Sequence, residues 1–357
     1  MQDKVVMTFH EKFKQYDLGE GHPYRGDRFI NALNFFKDQG LLNLPNLAVI
    51  APKPASKVDL LRVHDEDYVN LIFRLASESK LYDVETPVSP QILEAALLIT
   101  GGALECGKTV YSGEAKRGIS LGGGLHHAGR NYGGGFCLFN DIAVLIEYLR
   151  TEKDVKKFLV LDYDVHFGNG TSDIYYRDST VLFISIHQDP RTIYPGTGFT
   201  WQIGEGEGRG FNVNVPLPPG TGDISYLYAV KEIFVPLAEE FQPNIIIANG
   251  GSDAHFADAL GDLSLTAKGF FVLSSLIRET ANKVCDGKLV MLIGSGYNPQ
   301  FLPLCWYALV AGVVGLQSFD LKEFFAPPVE PPFIRKKVEE VIEELKSLLK
   351  EKWVCFR

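Results

Sequence analysis

The sequence predicts an α/β fold, a single domain built on a mainly parallel sheet with helices on both faces. Two observations predict it. Short apolar runs rich in Val and Ile alternate with stretches of helical periodicity. Each apolar run also ends in a Gly-, His- or Asp-rich segment. In order, the predicted strands are Arg117–Leu121, Phe158–Asp162, Val181–Ser185, Asn244–Ala248 and Leu289–Ile293. Their continuous apolar character is that of strands buried on both faces. Between them lie helical patterns at Asp141–Leu149, Ser225–Glu240 and Leu265–Val284. The apolar stretch Leu304–Leu316 is too short to span a bilayer and reads as a core helix. The turn Pro327-Pro328-Val329-Glu330-Pro331-Pro332 sets residues 1–325 apart from a C-terminal segment, 326–357. That segment carries Ile334, Val338, Val341, Ile342, Leu345, Leu348 and Leu349 at helical spacing, a helix expected to pack back on the domain.

The 357 residues are 46% apolar and 22% charged, which allows a sizeable core. A net charge of −9 argues against direct nucleic-acid binding and against an anionic membrane surface, and it tolerates a cationic substrate. Five dispersed cysteines without a CxxC pair read as reduced thiols, and Met1-Gln2-Asp3-Lys4 opens no signal peptide. A cytoplasmic location is expected. The oligomeric state is not encoded in any of these features.

In open α/β sheets, ligands bind beyond the carboxyl ends of the strands. The segments after the five strands are therefore the candidate site. Asp162-Tyr163-Asp164-Val165-His166 closes the second strand. Side chains alternate faces along a strand, so Asp162, Asp164 and His166 are expected to point the same way. Buried together, such groups need a cation or mutual pairing. A carboxylate and an imidazole two residues apart suit a metal of the zinc class. The plainer alternative is a pair of strand-end aspartates beside a satisfied histidine. Asp253, in Gly250-Gly251-Ser252-Asp253-Ala254-His255, would supply a third ligand, or else it is a turn residue; His255 reads as structural.

His126-His127 follows three glycines, so two imidazoles could share one cavity as proton carrier and electrostatic partner, or simply lie on a surface loop. Gly133-Gly134-Gly135-Phe136-Cys137 could line a narrow slot or be a flexible loop. Tyr297, after Gly294-Ser295-Gly296, could donate to a developing oxyanion or pack on the next helix. His187 follows the third strand. Gly204–Gly210 lacks the phosphate-loop pattern and reads as a surface loop before an extended Phe211–Leu217 segment.

Taken together, these clusters resemble the histone deacetylase superfamily, which also holds acetoin-utilisation proteins and acetylpolyamine amidohydrolases. His126-His127, Gly135-Phe136-Cys137, Asp162-x-Asp164-x-His166, Pro195-Gly196-Thr197-Gly198, Ser252-Asp253-Ala254-His255 and Gly296-Tyr297 occur in the superfamily's order. The likeness runs from about Gly19-Glu20-Gly21-His22-Pro23 to Tyr297. It implies the arginase-like α/β fold and zinc-dependent hydrolysis of an N-acetyl amide. By this resemblance Asp164, His166 and Asp253 hold one Zn2+ per chain, with Fe2+ as the alternative in the cell. His127 is the general base and acid, oriented by Asn169, and His126 is an electrostatic partner supported by Asp162. Tyr297 stabilises the oxyanion, while Gly135, Phe136 and Tyr194 line the acyl-lysine tunnel. A structural K+ falls on Asp162, Asp164, His166, Ser185 and Ile186.

Three positions depart from the commonest patterns. Asn169 stands where class I members have aspartate, as in class II and acetoin-utilisation relatives. An amide can orient an imidazole but does not stabilise imidazolium as a carboxylate does. Phe167 stands where histidine is frequent, and Tyr194 where phenylalanine is. The leading expectation is a deacetylase of acetyl-lysine in proteins or peptides. The alternatives are an amidohydrolase of acetylpolyamines or other small acetylated amines, and a non-catalytic acyl-lysine-binding module. A binuclear manganese ureohydrolase needs more acidic ligands than are present.

Overall fold

The computed structural model describes residues 3–357, so Met1 and Gln2 of the N-terminal reading lie outside the described residues. The described strands are β1 (Val5–Thr8), β2 (Leu47–Ile50), β3 (Arg117–Leu121), β4 (Phe158–Asp162), β5 (Val181–Gln188), β6 (Asn212–Leu217), β7 (Ile245–Gly251) and β8 (Leu289–Ser295). Their order in one sheet is β2-β1-β3-β8-β7-β4-β5-β6. The pairs β1–β2, β1–β3, β4–β5, β4–β7 and β5–β6 are parallel. Every residue of β3, β4, β5, β7 and β8 is buried, so both faces of these strands are covered.

The helices are α1 (Asp27–Asp38), α2 (Lys57–Leu60), α3 (Glu66–Glu78), α4 (Pro90–Ser112), α5 (Asp141–Glu152), α6 (Asn169–Tyr175), α7 (Asp223–Phe241), α8 (Ala267–Val284), α9 (Leu302–Val314) and α10 (Pro332–Leu349). Side chains fix several starts. Asn140 accepts from Ala143 N at α5, Thr266 accepts from Gly269 N at α8, and Ser89 with Pro90 opens α4. Among the described residues, no helix is long and apolar enough to cross a membrane.

The predicted β3 and β4 match the observed limits, and the other three strands differ. β5 runs on to Gln188 because its pairing with β6 continues to Gln188↔Leu217. Neighbouring backbone thus overrides the polar His187-Gln188 signal that ended the predicted strand. β7 and β8 extend through Gly251 and Ser295. Asn244 lies outside β7, and its Oδ1 accepts from Lys156 N at 3.1 Å and Lys157 N at 2.9 Å. β1, β2, α1, α2, α3, α4 and α6 were not anticipated. β1 and β2 have four residues each, too few for a periodic signal.

The chain forms two compact units interleaved in sequence. The first holds residues up to Val155, Asn169–Ile174 and Val290–Gly294. The second holds Lys156–Gly168, Tyr175–Leu289 and Ser295–Arg357. In the second unit α10 buries Ile334, Val338, Ile342, Leu345 and Leu349 and packs on β6 and α7. Trp353 then donates Nε1–H to Gly210 O at 2.7 Å.

Candidate active site

In the first unit, β3 leads into Gly122-Gly123-Gly124 and the buried His126-His127 pair. The buried Asp141 carboxylate at the start of α5 accepts from Gly124 N at 2.9 Å and Leu125 N at 2.8 Å. Burial pushes the Asp141 pKa up to about 6, and the hydrogen bonds from Leu125 and Gly124 oppose that rise. His126 is held further by Thr171 N, which donates to its carbonyl at 3.1 Å.

His127 Nδ1 lies 2.7 Å from Asn169 Oδ1. An amide oxygen only accepts, so Nδ1 carries the proton and Nε2 keeps its lone pair. The two Nε2 atoms of His126 and His127 are 3.1 Å apart. Gly135, at φ +51°, lies so close to the His127 ring that a Cβ there would overlap it. Phe136 follows at φ +69°, rare for a side-chain-bearing residue, with its carbonyl held by Tyr16 OH at 2.6 Å. Cys137 Sγ donates to Gly135 O at 3.3 Å. The glycine cluster is therefore a shaped wall against an imidazole.

In the second unit, β4 ends at Asp162, so Asp164 and His166 lie on a loop and not on a strand face. Their convergence comes from two local turns. Asp162 Oδ1 accepts from Asp164 N at 3.3 Å, and Asp164 Oδ1 accepts from His166 N at 2.9 Å. Asp253, two residues beyond β7, joins them, and one ligand atom from each of the three lies within 4.8 Å of the others. His166 Nδ1 is 3.1 Å from Asp164 Oδ1 and 3.4 Å from Asp253 Oδ2. Asp253 Oδ1 accepts from Val165 N at 3.1 Å, whereas its buried Oδ2 has no hydrogen-bond partner.

Burial opposes a charged His166, but the Asp164 hydrogen bond and the nearby Asp164 and Asp253 carboxylates overcome it and raise its pKa to about 10. Burial, then the Asp164 charge, raises Asp253 to about 8. Two buried carboxylates, one imidazole and an orphaned oxygen fit a divalent cation of the zinc class.

That chemistry sets a pH dependence. Both pKa values lie above their ordinary values of 6.5 and 3.8. The stability these groups lend the metal-free fold is therefore present at low pH. It is lost as pH rises through about 8 for Asp253 and about 10 for His166. A bound cation needs the deprotonated groups, so metal affinity should rise by about tenfold per pH unit for each proton displaced. Metal titrations followed by proton release, between about pH 6 and about pH 8, measure this. A pH-independent affinity would exclude these ligands.

Asp162 is buried at the end of β4 and pairs in register with Ser185 on β5 and Asn249 on β7. Ser185 and Ile186 thus flank Asp162, while Ser185 Oγ bonds His187 Nδ1 at 2.8 Å and Ile186 O accepts from Tyr226 OH at 3.3 Å. His187 Nε2 donates to Gly198 O at 2.9 Å, which makes this histidine part of the strand's packing. His255 Nδ1 accepts from Ala257 N at 3.2 Å, and His255 is outside the ligand cluster. Tyr194 is half exposed, its ring centroid 6.5 Å from that of His166. Tyr297 follows Gly296, at φ +122°, and its N–H donates to Asp258 at 2.6 Å.

Sequence reasoning missed Asp141 and Asp258. Burial lifts the Asp258 pKa to about 6, against hydrogen bonds from Tyr297 N and Leu260 N. Both carboxylates hold backbone N–H groups of the loops that carry His126-His127 and Tyr297. The available signal was the Asn-Asp pair opening a helix after a glycine cluster; nothing local marks Asp258.

The strands of this α/β sheet lead into a buried histidine pair and, in the other unit, into a buried carboxylate–imidazole cluster whose donor set fits a divalent cation. The chain belongs to the histone deacetylase family, whose domain profile matches residues 22–313. It is similar to a probable deacetylase of Archaeoglobus fulgidus, with 33% identity over 98% of this chain and 99% of that protein. The acetoin utilization protein AcuC of Bacillus subtilis is 33% identical over 86% of this chain and 81% of its own. Among solved structures, the HD domain of HDA15 superposes with a TM-score of 0.86 at 26% identity, covering 99% of this chain and 98% of that one. The protein is an enzyme of this deacetylase family, and the family is typically metal-dependent.

Proposed function

We propose that this chain is a zinc-dependent deacetylase that hydrolyses the N-acetyl amide of acetyl-lysine in proteins or peptides to a free amine and acetate. The observation that carries the reading is the buried Asp164–His166–Asp253 cluster, with a carboxylate oxygen that makes no hydrogen bond, in a member of this family. When bound there, zinc supplies Lewis acidity to the scissile carbonyl and to the attacking water. His127, with Nδ1–H held by Asn169, offers Nε2 to take the proton from the water and return it to the leaving amine. His126 is the electrostatic partner of that exchange. The Tyr297 phenol donates to the oxyanion, and the Asp258 bond to its backbone fixes the loop that presents it. Gly135, Phe136 and Tyr194 flank the acyl-lysine stem. A K+ at Asp162, Asp164, His166, Ser185 and Ile186 is structural. The chain works in the cytoplasm.

The test is kcat/KM for metal-defined protein on acetyl-lysine peptides, acetylpolyamines and longer acyl-lysines measured together. Acetyl-lysine peptides should exceed the others by at least about tenfold, a 1.4 kcal/mol difference in transition-state stabilisation. Faster turnover of acetylpolyamines would move the substrate to small amines. Binding of acyl-lysine without turnover would make the chain a recognition module.

A further inference from the structure

We propose that Tyr132 and Asp173 are positioning residues that lock the His127 tautomer through Asn169. This rests on the reading of His127 as the general base. An asparagine beside a catalytic imidazole raises a problem that an aspartate does not. The two ends of a carboxylate both accept, whereas an amide can turn and present Nδ2–H in place of Oδ1. A turned amide would place a donor against Nδ1 and favour the tautomer with its proton on Nε2, the atom that must accept. The structure contains a device against this.

Asn169 and Asp173 lie four residues apart on α6 and so share one helix face. Tyr132 bridges them. Its hydroxyl donates to the Asp173 carboxylate, and Asn169 Nδ2 donates to the Tyr132 hydroxyl oxygen at 3.4 Å. A carboxylate accepts only, so the phenol O–H points at Asp173 and a lone pair of the Tyr132 hydroxyl faces Asn169. The amide must then offer Nδ2–H to Tyr132. Its Oδ1 is thereby left 2.7 Å from His127 Nδ1. The polarity passes from Asp173 to Tyr132, to Asn169, to His127, with each group settling the next.

The Tyr132 ring is itself fixed. Gly129 packs so close to it that a Cβ there would overlap the ring, and Gly129 N donates to Tyr132 O at 2.9 Å. Gly129 O accepts from His64 Nδ1 at 2.8 Å, and His64 Nε2 accepts from Asn140 N at 3.0 Å. The turn is therefore tied to the start of α5.

The experiment reads the tautomer and the rate separately in full-length, metal-loaded protein. Long-range 15N–1H correlation spectra report which His127 nitrogen is protonated. An acetyl-lysine peptide reports kcat and KM. Tyr132→Phe should convert the Nδ1–H pattern to a mixture. It should lower kcat by about tenfold with KM and metal content unchanged, since a wrong tautomer in a catalytic imidazole costs up to about 10⁴-fold. In an Asn169→Asp background, each enzyme at its own pH optimum, the same change should cost under about twofold, because a carboxylate has no wrong orientation. Asp173→Asn, at an exposed position, should move tautomer and kcat in the same direction and serves if Tyr132→Phe folds poorly. An unchanged tautomer pattern, or equal losses in both backgrounds, would overturn the lock. A shifted tautomer with unchanged kcat would uphold the lock and remove His127 as the base.

Discussion

Asp253→Asn should leave the protein without its divalent ion after dialysis and lower deacetylase activity by at least about 10³-fold, a transition-state loss of about 4 kcal/mol. The substitution is nearly isosteric. Its amide oxygen can still accept from Val165 N, the bond that Asp253 Oδ1 makes at 3.1 Å. What it removes is the charge on Oδ2, the buried oxygen that makes no hydrogen bond and lies 3.4 Å from His166 Nδ1. A purely structural aspartate would behave differently, because losing its charge would lower the stability of the metal-free protein. Here burial and the Asp164 charge hold the Asp253 pKa at about 8. Ionised Asp253 is therefore a liability in the metal-free fold above that pH. The metal-free variant should melt no lower than metal-free wild type at about pH 9. Elemental analysis and thermal denaturation with and without zinc check both parts. Full metal occupancy in Asp253→Asn would take Asp253 out of the ligand set.

Tyr297→Phe should lower kcat by about 10²-fold or more, with KM and metal content close to wild type. The phenol is proposed to act on charge that exists only in the transition state, so its loss should not weaken ground-state binding. The backbone around it is held by groups other than the hydroxyl. Asp258 holds the Tyr297 N–H at 2.6 Å, and Asn298 Nδ2 donates to Ala257 O at 2.6 Å. Phenylalanine keeps both contacts, so a folding defect is not expected. Steady-state kinetics with metal analysis on the same samples decides the matter. A near-normal kcat would remove Tyr297 from the chemistry.

The strands were legible where apolar runs were long and bounded, as at Phe158–Asp162. They were misjudged where pairing prolonged a strand through polar residues, as at His187-Gln188. The alternation argument for Asp164 and His166 relied on a strand that stops at Asp162. The side chains converge for another reason, each aspartate accepting from the N–H two residues on. The glycine cluster before Cys137 left two readings open. In the structure Gly135 lies against the His127 ring, too close for a residue with a Cβ.

By itself, the sequence determined the parallel α/β class, the family, and which segments follow the strand ends. Those properties reside in local patterns: apolar runs, helical periodicity, and ordered clusters of His, Asp and Gly. Only the tertiary structure decided that Asp253 meets Asp164 and His166, since no local pattern spans the 87 residues from His166 to Asp253. It alone also showed Asp141 and Asp258 clamping loops, and Tyr132 joining Asn169 to Asp173. Hydrogen bonds across such distances are made by the packing of elements, and their partners carry no signature in the chain until it folds.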